Sequence, residues 1–184
     1  MILTGNKILE GVRENKIVIE PFDEKFLEPN SYGFHLNSKL LEYTCSLEKP
    51  LDIKSNMPYK ELIIPPEGLV LEPGKFYLGS TYEKMGSNFY AKTLHANFST
   101  SSMGMWIQFS APLGHIGAII NWTLEIAVAE HVRVYSGMRI GKLAFWEPQG
   151  ARLMYDGKYV GSSNVVESRI GKDYEKNIEA WVKK

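Results

Sequence analysis

With 184 residues, 44% of them apolar and 23% charged, the chain is large enough for one substantial core, small for two domains, and too apolar to be disordered throughout. Its 21 basic and 21 acidic side chains cancel, which leaves no net field to hold DNA, RNA or an anionic membrane. One cysteine, Cys45, excludes an internal disulfide framework and a Cys-rich zinc site.

The opening residues, Met1 to Lys7, lack the apolar stretch of a signal peptide. Thr4 is placed to cap a short helix whose Ile8, Leu9 and Val12 share one face; Asn15 stops it, and Ile17-Val18-Ile19 follows as a strand. From there to about residue 168 Gly and Pro recur at short intervals, with β-prone runs such as Leu62-Ile63-Ile64, Leu69-Val70-Leu71 and Phe76-Tyr77-Leu78 between them. Val132 to Tyr135, a turn at Ser136-Gly137, and Arg139 to Phe145 read as two more strands. Such spacing predicts a barrel or jelly-roll sandwich rather than βαβ units. The apolar run at 143–146 is among the longest and is far too short to span a bilayer. Tyr174, Ile178, Trp181 and Val182 fall at helical spacing, which predicts an amphipathic helix over 171–184 that docks on its own core or on a neighbouring subunit. The expectation is a single cytoplasmic domain spanning 1–184.

No phosphate loop, Rossmann glycine fingerprint or G-x-S-x-G elbow occurs. The zinc-deaminase signature is absent, and the four histidines, His35, His95, His115 and His131, form no metal-ligand pair at i+4. Aromatic residues are not interleaved with basic ones as a nucleic-acid surface requires.

One acidic residue is oddly placed. In Trp122-Thr123-Leu124-Glu125-Ile126-Ala127-Val128 the strand period of two puts Trp122, Leu124, Ile126 and Val128 on one face. Glu125 shares the other with the small residues Thr123 and Ala127, which leaves room for a ligand beside a carboxylate able to shuttle protons. The same pattern also fits an edge-strand glutamate or half of an ion pair, and the sequence alone leaves both open.

Several short segments resemble one family in its order. They are the opening Met1-Ile2-Leu3-Thr4 through Ile19-Glu20-Pro21-Phe22-Asp23, then Pro29-Asn30-Ser31-Tyr32, Leu71-Glu72-Pro73-Gly74, Thr123-Leu124-Glu125-Ile126, Lys158-Tyr159 and Ser168-Arg169-Ile170. Together they resemble the dCTP deaminase family of the dUTPase-like superfamily. The resemblance implies a distorted jelly-roll β-barrel with short terminal helices, assembled as a homotrimer with active sites between subunits. It implies deamination of a deoxycytidine nucleotide without zinc. Glu125 would take a proton from the water attacking C4 and return it to the leaving amino group, with Ala111 close to that water. Backbone groups around 111–117, including Gly117, would lie near base and sugar, and Thr123 and Tyr159 would border the nucleotide.

The departures from the family concern charge. Where it carries R-S-S-L-A-R-x-G-L, this chain reads Asn97-Phe98-Ser99-Thr100-Ser101-Ser102-Met103-Gly104-Met105, so both phosphate-binding arginines are missing. The I-D-P-G near the sugar has become Gly114-His115-Ile116-Gly117, the glutamine-bearing stretch reads Val160-Gly161-Ser162-Ser163-Asn164, and P-N-S-Y-D-L-R-L ends Gly33-Phe34-His35-Leu36. Two lost charge-assisted contacts at ~1.5–3 kcal/mol each lower affinity by roughly two to four powers of ten if they add. Ser99, Thr100, Ser101 and Ser102 remain as hydroxyl donors to phosphate, Ser162 as a substrate contact, and His95, His115, Lys158 and Arg169 as replacement cations. Mg²⁺ would enter only with bound phosphates. Besides deamination, two alternatives stay open: a pyrimidine-nucleotide hydrolase cleaving at phosphate or at the glycosidic bond, and a non-catalytic nucleotide-binding or regulatory homologue.

Overall fold

Thr4 adopts the extended backbone of an N-cap, although its hydroxyl makes no capping bond, and helix α1 (Gly5–Arg13) follows it in the computed structural model, which describes residues 1–182. Ile8 is fully buried and Leu9 and Val12 partly so, as the periodicity requires. Asn15, at φ 57°, ends the helix in the left-handed region and turns the chain into β1 (Val18–Glu20). Next come β2 (Leu27–Glu28), β3 (Ser31–His35), β4 (Lys39–Tyr43), β5 (Tyr59–Ile63), β6 (Leu69–Leu71), β7 (Tyr77–Gly86) and β8 (Ala91–Ala96). The short helix α2 (Phe98–Ser102) interrupts the strands and is an addition to the expected elements. β9 (Met105–Trp106), β10 (Leu113–Gly114), β11 (Ile119–Val128), β12 (Val132–Val134) and β13 (Arg139–Trp146) complete the β portion, and α3 (Ile170–Val182) closes the chain.

The strands distribute over three sheets and do not close into one continuous ladder, so the expected barrel is an open one. The largest sheet runs β5-β4-β7-β11-β9 with β1 also on β7; the second runs β10-β8-β13-β3-β2; β12 pairs with β6 alone. β12 and β13 are joined by the predicted turn, where Gly137 takes φ +79°, yet they enter different sheets. One buried cluster draws on all three sheets, among others Phe34, Leu143 and Phe145, Met85, Leu124 and Ile126, and Leu71, Val132 and Val134. Burying that face is the dominant favourable term holding the sheets together.

β11 pairs along β7, with Leu124 opposite Gly79 and Glu125 opposite Leu78. The alternation read from the sequence holds at Leu124, Ile126 and Val128, all buried, but a register shift between Asn121 and Thr123 breaks it at Trp122. The bulge leaves Trp122 half-buried, its N–H donating to Thr81 Oγ1 at 2.9 Å and its Nε1–H to Met85 O at 2.9 Å. On α3, Tyr174 is half-buried under the Lys54 ammonium, 5.2 Å from the ring centroid, while Ile178 is exposed. The Trp181 and Val182 side chains, and Lys183 and Lys184 of the predicted 171–184 helix, lie outside the described residues. Among the described residues no helix is long and apolar enough to cross a membrane.

Candidate active site

Glu125 sits on a strand bordered by β7 on one side and β9 on the other, not on a free edge. The loop after β9 wraps its carboxylate. Phe109 N–H donates to Oε2 at 2.7 Å, Ser110 N–H reaches the same oxygen at 3.4 Å, and Glu125 N–H donates to Ile107 O at 3.0 Å. Its partners are thus backbone amides rather than a cation, and neither the edge-strand nor the ion-pair reading describes it. One carboxylate oxygen is fixed by the loop, and the group is half-buried at the wall of a cleft.

That cleft encloses about 520 Å³, within the usual range for small-molecule sites. It is lined from β7 and β11 by Leu78, Ile120, Trp122, Thr123 and Glu125, from the 111–118 stretch by Ala111, Leu113, His115 and Ala118, from the segment after β13 by Tyr155, Tyr159, Ser162 and Val166 to Ser168, and by Tyr43 and Phe76. The 164–169 segment is tied down at several points. Asn164, at φ 61°, donates its N–H to Asn121 Oδ1 at 3.3 Å and accepts from Ser80 Oγ at 3.3 Å. Val166 N–H donates to Thr123 Oγ1 at 3.3 Å, Ser168 N–H to the Tyr43 hydroxyl at 2.9 Å, and Arg169 N–H to the Tyr159 hydroxyl at 3.0 Å. Burial raises the Tyr43 phenol above its ordinary range and keeps it neutral.

Of the residues singled out in the sequence, Glu125, Ala111, His115, Thr123, Tyr159 and Ser162 line this one cleft. Thr123 spends its hydroxyl as an acceptor for the covering segment. Among the described residues Ser162 Oγ is buried without a hydrogen-bond partner, the sort of orphan that a ligand would satisfy. Gly117 does not line the cleft; it stands in the adjoining turn at φ +91°, its N–H donating to Ser87 O at 2.8 Å. Lys158 also stands outside, ion-paired with Asp173 and 5.4 Å from the Tyr159 ring centroid.

Ser99, Thr100, Ser101 and Ser102 are not brought to the cleft of their own chain. They build α2, where Thr100 is buried, Ser101 Oγ donates to Asn97 O and Phe98 O at 3.1 Å, and Ser102 Oγ donates to Ser99 O at 3.3 Å. Two of the hydroxyls expected to meet phosphate are therefore turned back onto the helix. His95 is exposed with Nε2 3.1 Å from Thr93 Oγ1, and His35 is held by Glu83, Nδ1 to Oε1 at 2.5 Å. Tyr43, Phe76, Trp122 and Tyr155 line the cleft without having been anticipated, because an aromatic in a β-rich sequence looks like core. Among the described residues no three His, Cys, Asp or Glu side chains gather as a metal site.

A mainly β chain of open antiparallel sheets, with a glutamate on an interior strand facing a nucleotide-sized cleft, falls in the dUTPase-like class of folds. A crystal structure of 2'-deoxycytidine 5'-triphosphate deaminase from Agrobacterium tumefaciens superposes with a TM-score of 0.62 at 19% identity, covering 78% of this chain and 47% of that one. This chain thus spans about half the length of that structure, and the likeness is one of fold. Residues 2–148 match the family described as dCTP deaminase-like. The chain is 40% identical over 177 residues to a "dCTP deaminase, dUMP-forming" of Clostridium beijerinckii, covering 96% of this chain and 100% of the relative. It is 41% identical to the protein of that description from Leptospira biflexa and 38% to that from Cytophaga hutchinsonii, each over 96% of this chain. The chain belongs to the dCTP deaminase-like family.

Proposed function

We propose that the protein deaminates the cytosine ring of a deoxycytidine nucleotide, with Glu125 as the proton shuttle. The observation that carries the reading is the Glu125 carboxylate at the cleft wall, one oxygen anchored by Phe109 N–H. Anchoring fixes the direction of the other oxygen, and a fixed base spends little on orientation. Glu125 takes a proton from water as the oxygen adds to C4; the protonated amino group then leaves with the C4–N bond electrons, so cytosine and water become uracil and ammonia. Ala111, across the cleft, would stand near that water, and Ser162 Oγ would gain its missing partner from the nucleotide. The reading routes no step through a protein-bound metal; Mg²⁺ would arrive with the phosphates. The relatives' description as dUMP-forming favours a second step in the same site, hydrolytic release of pyrophosphate from the triphosphate.

Lys158 and Arg169, on either side of the 159–168 segment, stand 5.4 and 5.5 Å from the centroid of the Tyr159 ring that lines the cleft and are the candidate partners for phosphates. The reading includes a cytoplasmic location, where nucleotide pools lie, and assembly as a homotrimer that buries the exposed aromatic row Phe76, Phe109 and Trp106 beside the cleft. The deciding experiment is incubation with dCTP and dCMP, separating cytosine from uracil nucleotides and assaying pyrophosphate. Uracil product from wild type, reduced by about 10²–10⁴-fold in Glu125→Gln, is expected. No uracil product from folded wild-type protein would refute deamination; intact cytosine with released phosphate would favour the hydrolase alternative instead.

A further inference from the structure

One buried lysine has no part in the chemistry above. Lys92 lies on β8, opposite Gly114 of β10 and Phe145 of β13, with 0% of its surface exposed. Among the described residues its Nζ meets no carboxylate. Nζ instead donates to His115 O at 2.5 Å and to Ala118 O at 3.1 Å, and it stands 5.5 Å from the centroid of the Trp122 ring. His115, Ala118 and Trp122 all line the cleft. Every contact made by the Nζ of this lysine is therefore to the cleft wall.

The wall it holds is a tight turn. Ala118 N–H donates back to His115 O at 3.2 Å, and Gly117 supplies the positive φ the turn needs. The turn is pinned from outside as well, by Gly117 N–H to Ser87 O at 2.8 Å and by Tyr155 N–H to Ile116 O at 2.8 Å. The His115 ring then stacks on Tyr155 at 5.4 Å between centroids and 16° between planes. Ala118 O also lies against β7, so close that a Cβ on Gly86 would come within 2.1 Å of it. A lysine bonded to the first and last carbonyls of the turn locks both its ends, which a hydrophobic side chain filling the same space could not do.

We propose that Lys92 is a positioning residue for substrate binding: by clamping the 115–118 turn it sets His115 and Tyr155 as a preformed aromatic wall for the nucleoside part of the nucleotide. This rests on the reading that the cleft takes the nucleotide. Its effect belongs to binding rather than to the proton transfer, because no contact of Lys92 reaches Glu125. A loosened wall would weaken ground state and transition state alike, which raises KM and leaves kcat in place.

Lys92→Met keeps the length and removes the donors. The expected result is a KM for dCTP raised about tenfold with kcat within about threefold, and loss of the ring-current shift of the His115 imidazole protons in the NMR spectrum. A wild-type KM and an unchanged His115 spectrum in the folded variant would overturn the proposal. If Lys92→Met does not fold, Lys92→Leu, which likewise has no donor, is measured in its place and should show the same split; failure of both to fold would also overturn the proposal, since Lys92 would then serve the whole core. Failure of the underlying reading looks different: wild type would make no uracil product, or Glu125→Gln would retain full activity.

Discussion

The buried amine makes a second prediction, about stability. Burial in the core pushes Lys92 down to about 7, against about 10.5 in the unfolded chain. Between those values the unfolded chain holds the proton and the folded one does not. Stability therefore rises with pH across that window, by about 1.36 kcal/mol per pH unit for one proton, toward roughly 5 kcal/mol in all. Below about 7 both states are protonated and the contribution is flat at its least favourable; above the unfolded value neither is, and the penalty is gone. The window for measurement ends short of pH 10, because the Tyr32 and Tyr43 phenols, raised by burial, stay protonated in the folded protein while the unfolded chain releases theirs, which reverses the trend there. Urea denaturation of wild type and Lys92→Met at pH 7.5, 8.5 and 9.5, at one protein concentration so that any subunit equilibrium is common to both, isolates the lysine. Wild type should gain on the variant by about 2–3 kcal/mol from the lowest to the highest pH. Parallel curves would show that the folded amine titrates like a solvated one and would refute the reasoning.

Leu124, 1% exposed on the strand that carries Glu125, should cost about 2–5 kcal/mol when truncated to Ala, read from the same denaturation curves. A loss under about 1 kcal/mol would mean that the β11 face is not packed as described. For the proposed assembly, light scattering should give three chain masses for wild type and one for Trp106→Glu, which puts a charge into the exposed aromatic row; a variant that stays trimeric would move the interface elsewhere.

Much of the fold was legible because burial writes itself into strands as short apolar runs and alternation, and Glu125 stood out as a carboxylate between the small residues Thr123 and Ala127 on the face opposite the apolar one. What the pattern could not carry was pairing. Val132 to Val134 and Arg139 to Trp146 are neighbours in sequence and strangers in the sheets, since each answers to partners distant in the chain. The bulge at Trp122 was equally invisible, because one extra residue in a ladder leaves no compositional mark. Ser101 and Ser102 were legible as hydroxyls but not as hydroxyls bonded to their own helix, which depends on α2 forming at all. Lys92 was the hardest: a lysine on a strand looks solvent-facing, and only its sharing a face with buried Leu94 hinted otherwise.

The missing arginines then have a consequence for which end of the nucleotide the protein holds. The cleft lining is mostly apolar and aromatic, its acidic residues are Glu125 and Glu167, and among the described residues no Lys or Arg lines it. Phosphates entering that space would meet like charge in a region of lowered dielectric, so under the proposed function base and sugar would occupy the cleft and the phosphates would remain at its rim. There Lys158 is already paired with Asp173, and Arg169 gives an N–H to the Lys158 carbonyl. Lys158 would exchange one anion for another on binding phosphate, a trade near neutral for groups in contact with water. Affinity should accordingly depend little on phosphate count: KM for dCMP within about tenfold of that for dCTP, whereas two engaged arginines would separate them by roughly two to four powers of ten. A gap of that larger size, measured in steady-state assays on the same preparation, would overturn this prediction and show that cations, Arg169 of the same chain or groups of another, do meet the phosphate charge.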